Sequence, residues 1–308
     1  MRTGVQTAVV PAAGFGTRMR PATRAVPKEL LPVGGRPAIE WVVDEAARAG
    51  LRHLVVVSSL AKPAIDAYFG QDLRPWGSDA GDWGSWARRA GACTVEVVHQ
   101  PAPRGLGDAV RVARASVDPE EPLAVLLPDE LLLGGPRLLE RMADHHARTG
   151  RSVVSLLRIE PEEASAYGCA RVLAQPRATA PALVIGCVEK PPVGSGMSPY
   201  ALSGRYVLGA DVLDALEAVE PDGRGELQLT AALDVAARRN GLVGVELPPG
   251  SGRVDVGNWR GWLEANVRLL AEGVPQPEPA GTPAPEPAGA TFATSGSPAS
   301  GGQAGATW

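Results

Sequence analysis

The sequence predicts an α/β fold built on a parallel sheet, and three observations lead to this prediction. A β-prone apolar run at residues 8–10 (AVV) leads straight into a glycine-rich loop. A helical apolar pattern at 37–49 (PAIEWVVDEAARA) then ends at Gly50, a typical helix-terminating glycine. A second apolar run at 54–59 follows. Strand, loop, helix and strand in this order form a βαβ unit, which requires parallel strands and a right-handed crossover.

Composition limits the class of protein. The 308 residues can bury a sizeable core in one large or two smaller α/β domains. No apolar run reaches the length of a membrane span and no signal-peptide pattern precedes the first strand, so we expect a cytoplasmic protein without a membrane partner. A net charge of −4 argues against a nucleic-acid partner. The three cysteines lack Cys-x-x-Cys spacing, so we expect buried thiols.

The glycine-rich loop at residues 11–18 (PAAGFGTR) is suited to binding an anion. Its small residues let backbone N–H groups approach a phosphate closely. Met19 replaces the third glycine of a dinucleotide fingerprint, and the Gly-Lys-Ser/Thr of a P-loop is missing. Arg18 and Lys28 add two cations, which suits a triphosphate. The alternative is a tight turn after the strand with solvated basic residues.

The run at 14–23 (GFGTRMRPAT), followed by 27–32 (PKELLP), resembles the signature of sugar-1-phosphate nucleotidyltransferases. The variant is most similar to that of bacterial UTP:glucose-1-phosphate uridylyltransferases. The resemblance implies a Rossmann-like, mostly parallel mixed sheet flanked by helices, of the nucleotide-diphospho-sugar transferase type. It also implies one catalytic domain over residues 1–272 and a homo-oligomer, either a dimer or a tetramer.

The resemblance assigns the nucleotide to the glycine loop and to the segment 100–110 (QPAPRGLGDAV) after the strand 94–99. The residues implied are Ala12, Ala13, Gly14, Gly16, Gln100, Gly105 and Gly107. A glutamine amide can both donate and accept a hydrogen bond, as recognition of a pyrimidine edge requires. Asp108 stands where uridylyltransferases usually have histidine, and this difference leaves the preferred nucleotide and sugar open.

Two aspartates are the candidate ligands of Mg²⁺. The apolar strand 123–127 (LAVLL) delivers Asp129 to its carboxyl end, where open α/β sheets bind their ligands. The alternative role for Asp129 is to cap the next turn. The resemblance assigns the second metal ligand to Asp255 in 254–257 (VDVG). After it, Asn258 and Trp259 replace a usual Thr and Lys.

The resemblance also assigns a sugar phosphate site. Strands are predicted within 152–159, 169–174 and 183–189, with Gly168 at a turn between them. Glu189 would accept hydrogen bonds from sugar hydroxyls, and Lys190 would neutralise the sugar's phosphate.

The two remaining cations receive roles by the same resemblance. Arg18 would neutralise the leaving phosphates, and Lys28 the α-phosphate and its transition state. Together with Lys190 they form the predicted catalytic set.

Two further segments depart from the periodic patterns. Residues 70–92 concentrate Gly, Asp and three tryptophans, typical of either a mobile surface loop or a packing surface for another subunit. After a predicted helix at 262–272, the Pro-, Ala- and Gly-rich residues 273–308 are expected to be disordered, because they cannot bury enough apolar surface.

The implied function is Mg²⁺-dependent transfer of a uridylyl group from UTP to glucose 1-phosphate. One alternative is a specialised relative that uses dTTP or another nucleotide, or another sugar or cyclitol phosphate, as Asp108, Tyr200, Ala231 and Trp259 suggest. Another is a non-catalytic regulator that binds a sugar nucleotide. The retained aspartate pair and cations argue against a regulator, since a sensor does not need the metal.

Overall fold

The structure is a computed structural model that describes residues 4–70, 93–133, 137–176, 180–195, 198–247 and 251–272. The predictions for the tryptophan-containing segment, apart from Gly70, and for the tail 273–308 lie outside the described residues. Within the described ranges, no helix combines the length and the apolar character needed to cross a bilayer.

The described part of the chain contains strands and helices in mixed order. The strands are β1 (Thr7–Pro11), β2 (Pro32–Val33), β3 (Arg36–Pro37), β4 (His53–Ser58), β5 (Thr94–His99), β6 (Leu123–Leu126), β7 (Glu130–Leu132), β8 (Val153–Arg158), β9 (Gly168–Val172), β10 (Ala182–Glu189), β11 (Tyr200–Leu208), β12 (Leu242–Glu246) and β13 (Arg253–Asp255). The helices are α1 (Ala38–Arg48), α2 (Pro63–Phe69), α3 (Leu106–Arg114), α4 (Leu138–Thr149), α5 (Ala210–Ala218), α6 (Leu229–Asn240) and α7 (Trp259–Glu272).

Nine of the described strands form one mixed sheet in the order β5-β4-β1-β6-β11-β8-β12-β10-β9. The first four of these strands are mutually parallel, and β1, α1 and β4 form the predicted βαβ unit. Strand β11 runs antiparallel to both of its neighbours, β6 and β8. The predicted α/β class with a mixed sheet is therefore confirmed, and the glycine loop leaves the parallel half.

Continuous apolar strands supply two core layers, one on each face of the sheet. In β1, Ala8 and Val10 pack on the face covered by α1, while Val9 packs on the opposite face with α3 residues such as Ala109. Successive side chains of a strand point to opposite faces, so an unbroken apolar run indicates burial on both. This double burial holds the strand ends rigid, and the site lies at those ends.

Beyond β6 the chain leaves the large sheet and forms a small ribbon. Strand β7 pairs antiparallel with β13, which sets Asp255 opposite Glu130. The backbone N–H of Val256 donates to the carbonyl oxygen of Asp129 at 2.8 Å. This ribbon therefore brings Asp129 and Asp255, which are far apart in the sequence, close together.

All three cysteines are free and buried, as the sequence predicted. Burial, assisted by the charge of Asp234, raises the pKa of Cys187 to about 12. Burial, assisted by Glu189, raises the pKa of Cys169 to about 11. Burial also raises the pKa of Cys93.

We expect the native protein to react very slowly with a thiol reagent at pH 8. The thiolate is the reactive form, and at that pH about one thiol in a thousand or fewer is ionised at Cys169 and Cys187. Colour release from Ellman's reagent should be slow in buffer and rapid, with three equivalents per chain, in urea. Rapid release of one equivalent from the folded protein would contradict this description of the core.

Candidate active site

The glycine loop follows β1 directly and is held at the sheet edge. Ala12 N–H donates to the Val57 carbonyl oxygen at 2.7 Å. Gly16 has φ of 60° in the left-handed region that favours glycine, and its carbonyl accepts from the Thr23 hydroxyl at 2.8 Å. Among the described residues, no hydrogen bond uses the backbone N–H groups of residues 13–16. These groups are therefore available to donate to a ligand.

Lys28 and Asp129 form a direct ion pair next to this loop, in which the ammonium donates to Asp129 Oδ2. Burial lowers the pKa of Lys28, but the charges of Asp129 and Glu29 outweigh it and raise this pKa above its usual value. Burial raises the pKa of Asp129, but Lys28 and Arg18 outweigh it, so that pKa falls below its usual value. Both groups are therefore charged at neutral pH.

The β7–β13 ribbon places Asp255 next to this ion pair. The guanidinium of Arg18 lies 3.9 Å from Asp129 Oδ2 and 3.7 Å from Asp255 Oδ2. A Cβ atom placed on Gly257 would lie 2.7 Å from Asp129 Oδ2 and 3.0 Å from Asp255 Oδ1. The structure therefore gathers two predicted cations, Arg18 and Lys28, with both predicted carboxylates.

Residues after Asp255 fix the orientation of its carboxylate. Gly257 N–H donates to Oδ1 at 2.8 Å, and Asn258 Nδ2 donates to Oδ2 at 3.1 Å. Asn258 is one of the positions where the sequence departs from the signature, and here it anchors the aspartate. The difference therefore has a local structural role.

The donor set of this cluster suits a hard divalent cation. Asp129 and Asp255 offer carboxylate oxygens, the ligands that Mg²⁺ prefers, and Mg²⁺ usually takes only one or two of them together with waters and phosphates. Arg18 and Lys28 balance the two negative charges here. In the described part of the chain, no group of three or more His, Cys, Asp or Glu side chains is placed to hold a metal.

Glu130 and Arg253 form a second ion pair beside this cluster. Arg253 Nε lies 2.7 Å from Glu130 Oε2. Burial, opposed by Arg253 and reinforced by Asp129 and Asp255, raises the pKa of Glu130 to about 7. The Arg253 guanidinium also lies 5.6 Å from the centroid of the Tyr167 ring. Arg253 therefore connects the aspartate cluster to the strand that carries Gly168.

Gly168, Glu189 and Lys190, which the resemblance assigns to the sugar phosphate, lie close together. The Thr230 hydroxyl donates to Glu189 Oε2 at 2.6 Å. A Cβ atom on Gly168 would lie 3.1 Å from both of those oxygens, so glycine keeps space beside the carboxylate. No local pattern in the sequence indicates the contact between Thr230 and Glu189, which follows only from the fold.

Lys190 has an unusual backbone for a non-glycine residue, with φ of 44°. Its N–H donates to the Tyr167 carbonyl oxygen at 3.0 Å, and its Nζ lies 3.4 Å from Glu189 Oε1. A side chain held in the left-handed region costs conformational energy, and such residues cluster at functional sites. More than half of this side chain is exposed, so it can meet a ligand.

Close packing explains why residues 105 and 107 are glycines. A Cβ atom on either would lie 2.7 Å from the Leu227 carbonyl oxygen, and Gly105 has φ of 94°. Gly107 N–H donates to that same oxygen at 2.8 Å. The segment preceding α6 therefore presses against the start of α3. The assignment of both glycines to nucleotide binding stays a prediction, as does that of Gln100 beside them.

Sequence reasoning missed the buried pair Lys62–Glu29. Lys62 Nζ donates to the Ala12 carbonyl oxygen at 2.6 Å and to Glu29 Oε2 at 2.9 Å. Lys62 thus joins the glycine loop to the segment that carries Lys28. No local signal marks it, because a lysine before Pro63 at a helix start is common on protein surfaces.

Sequence reasoning also missed Arg205, a fully buried guanidinium in β11. Its Nη2 donates at 2.7 Å to Glu45 Oε2 and at 2.7 Å to the Glu130 carbonyl oxygen. Its Nη1 donates at 3.2 Å to the Leu127 carbonyl oxygen. The last two acceptors lie on either side of Asp129 in the chain, so Arg205 holds the turn that presents this aspartate.

Comparisons with known proteins agree with this arrangement. A family model described as nucleotidyl transferase matches residues 7–272. A UTP–glucose-1-phosphate uridylyltransferase of Streptococcus pyogenes is 31% identical over 281 residues, covering 88% of this chain and 90% of the relative. One from Bacillus subtilis is 32% identical over 284 residues, covering 90% of this chain and 93% of the relative.

Solved structures lead to the same group of proteins. A UDP-glucose pyrophosphorylase complexed with UDP-glucose superposes with a TM-score of 0.78 at 30% identity, covering 87% of this chain and 99% of the other. A UTP-bound enzyme from Acinetobacter baumannii superposes with a TM-score of 0.75 at 31% identity, covering 89% and 95%. The predicted nucleotide-diphospho-sugar transferase fold is confirmed, and the chain belongs to the nucleotidyl transferase family of enzymes.

Proposed function

We propose that the protein transfers a uridylyl group from UTP to glucose 1-phosphate, giving UDP-glucose and pyrophosphate. The observation that carries the proposal is the convergence of Arg18, Lys28, Asp129 and Asp255 beside the glycine loop. The activity in the names of the relatives supports the choice of reactants.

The reaction joins two polyanions. A phosphate oxygen of glucose 1-phosphate attacks the α-phosphorus of UTP and forms a new P–O bond. The bond from the α-phosphorus to its bridging oxygen breaks, and the electron pair leaves with pyrophosphate. The nucleophile is already an anion at neutral pH, so no general base is required. Catalysis then consists of positioning and of neutralising charge.

In our proposal, each of the three cations neutralises a different phosphate group. Arg18 neutralises the leaving phosphates and Lys28 the α-phosphate. Both lie beside carboxylates, and these contacts orient them before a ligand arrives. Lys190 neutralises the acceptor phosphate. Glu189, whose carboxylate lies between the Thr230 hydroxyl and Lys190 Nζ, accepts from sugar hydroxyls.

The glycine loop and the segment at the start of α3 complete the proposed nucleotide site. The phosphates contact backbone N–H groups of the loop, at Ala13, Gly14 and Gly16, next to Ala12. The base faces the segment before α3, at Gln100, Gly105 and Gly107. Asp129 and Asp255 would hold Mg²⁺, which when bound would neutralise phosphate oxygens. We further propose residues 1–272 as the catalytic domain and a homo-oligomer as the assembly.

One experiment tests the function. The purified protein is incubated with Mg²⁺, each common nucleoside triphosphate in turn, and a panel of sugar 1-phosphates, while pyrophosphate is measured. We expect the highest rate with UTP and glucose 1-phosphate. Faster release with dTTP would favour the specialised relative, which the aspartate at position 108 suggests. No release with any pair would favour the regulator.

A further inference from the structure

The amide of Gln100 is held in one orientation inside the protein. Its Nε2 donates to Asp108 Oδ2 at 2.8 Å and to the Gly105 carbonyl oxygen at 3.2 Å. Asp108 is itself buried, and its other oxygen accepts from Arg111 Nη2 at 2.8 Å. Both neighbours of the amide nitrogen are therefore hydrogen-bond acceptors.

This pairing decides which end of the amide faces outward. The two ends of a glutamine amide have nearly the same shape, and only the hydrogen-bond network distinguishes them. An ionised carboxylate and a carbonyl can only accept, so the NH₂ group must face Asp108 and Gly105. Among the described residues, no hydrogen bond is formed to the amide oxygen of Gln100. The oxygen is the end left for a ligand.

Gln100 lies at the same sheet edge as the glycine loop. Its N–H donates to the Ser58 carbonyl oxygen at 2.8 Å, at the end of β4. The preceding carbonyl, of Val57, accepts from Ala12 N–H at 2.7 Å at the start of the loop. A nucleotide with its phosphates on the loop can therefore extend its base toward Gln100.

We propose that Asp108 is a positioning residue that fixes Gln100 as a hydrogen-bond acceptor and so restricts the enzyme to bases with a ring N3–H, uracil and thymine, against cytosine. The proposal rests on the proposed function. Uracil and thymine carry a hydrogen on N3, whereas N3 of cytosine is an acceptor. Cytosine would place its acceptor N3 against the acceptor oxygen of the Gln100 amide. A site that accepts a hydrogen bond from its substrate strongly rejects an analogue that lacks the donor.

The test compares UTP with CTP in the wild-type protein and in Asp108→Asn, using kcat/KM with glucose 1-phosphate and binding by calorimetry. We expect the wild-type protein to prefer UTP by about 100-fold or more. The asparagine in this variant can turn its own NH₂ group toward Gln100, which allows the Gln100 amide to reverse and donate to cytosine N3. The UTP/CTP ratio should then fall about tenfold, because one hydrogen bond is worth about that factor.

Two comparisons separate this role from a loss of folding. Asp108→Glu keeps an acceptor-only group and should retain most of the wild-type ratio. Asp214→Asn, an exposed aspartate 3.8 Å from Arg114, should leave the ratio unchanged. A variant that is merely less stable would lose UTP and CTP binding alike, so its ratio would not move.

Analogues test the same idea without any variant. The wild-type protein should bind 3-methyl-UTP at least as poorly as CTP, because neither base offers an N3–H. Equal binding of UTP and CTP by the wild-type protein, or an unchanged ratio in a folded Asp108→Asn variant, would overturn the inference. If no nucleotide releases pyrophosphate, the proposed function fails, while the calorimetric ratios still test the inference.

Discussion

Replacing Asp255 with asparagine is expected to lower kcat for nucleotidyl transfer by about 10²–10³-fold, the usual cost of removing one preorganised charge-stabilising group. Asparagine keeps the shape of the side chain and can still accept from Gly257 N–H through its one amide oxygen. Its NH₂ group cannot accept from Asn258 Nδ2, and the loss of that single hydrogen bond costs only about 1 kcal/mol. The fold should therefore be preserved, and the loss should come from the missing negative charge. Turnover and the Mg²⁺ concentration for half-maximal rate are the quantities to measure.

Asp118→Asn is the matched control. Asp118 is exposed and caps a turn by accepting from Glu120 N–H at 2.9 Å, so its replacement should leave kcat unchanged. The Asp255→Asn variant should also need more Mg²⁺, because one of the two proposed carboxylate ligands is gone. Wild-type turnover in this variant would overturn the assignment of the metal to Asp129 and Asp255.

Replacing Arg205 with methionine is expected to lower the free energy of unfolding by about 3–5 kcal/mol, because it removes a fully buried guanidinium and leaves the carboxylate of Glu45, only 17% exposed, without its partner. Glu45 is the residue left without its partner, and the carbonyl oxygens of Leu127, Gly204 and Glu130 also lose the hydrogen bond from Arg205. Urea unfolding of both proteins measures the difference.

A surface pair provides the contrast. Arg238 and Asp234 are also 2.7 Å apart, but the Arg238 side chain is 62% exposed. Arg238→Met should therefore change the free energy of unfolding very little, because solvent screens an exposed ion pair. The double variant Arg205→Met with Glu45→Met should be more stable than Arg205→Met alone, since no charge is then left unpaired. A loss for Arg205→Met no larger than for Arg238→Met would contradict the structural role.

Parts of the site were predictable because they depend on local chemistry. A glycine loop after an apolar strand and an aspartate after β6 can each be recognised within a few residues, and the family resemblance adds the Glu189–Lys190 pair before a proline. The strands were predictable for a similar reason, since double burial produces unbroken apolar runs. Boundaries shifted by a residue or two, as for α1, which begins at Ala38 and ends at Arg48.

Other parts could not be predicted from local patterns. Lys62, Glu29 and Arg205 are charged residues that composition places on the surface, yet each is buried with a partner. Their partners come from elements far away in the chain, so no spacing rule connects them. Gly105 and Gly107 look like ligand-binding glycines, while the fold gives them a packing role against Leu227.

The sequence by itself determined the α/β class, the glycine loop after β1 and the kinds of side chain available for charge neutralisation, because these follow from burial patterns and residue chemistry within short segments. Only the tertiary structure decided that the carboxylates of Asp129 and Asp255 both lie beside Arg18 and that Asp108 accepts a hydrogen bond from the Gln100 amide. The reason is that such contacts depend on strand order and on the β7–β13 ribbon, which long-range pairing sets and no local pattern encodes.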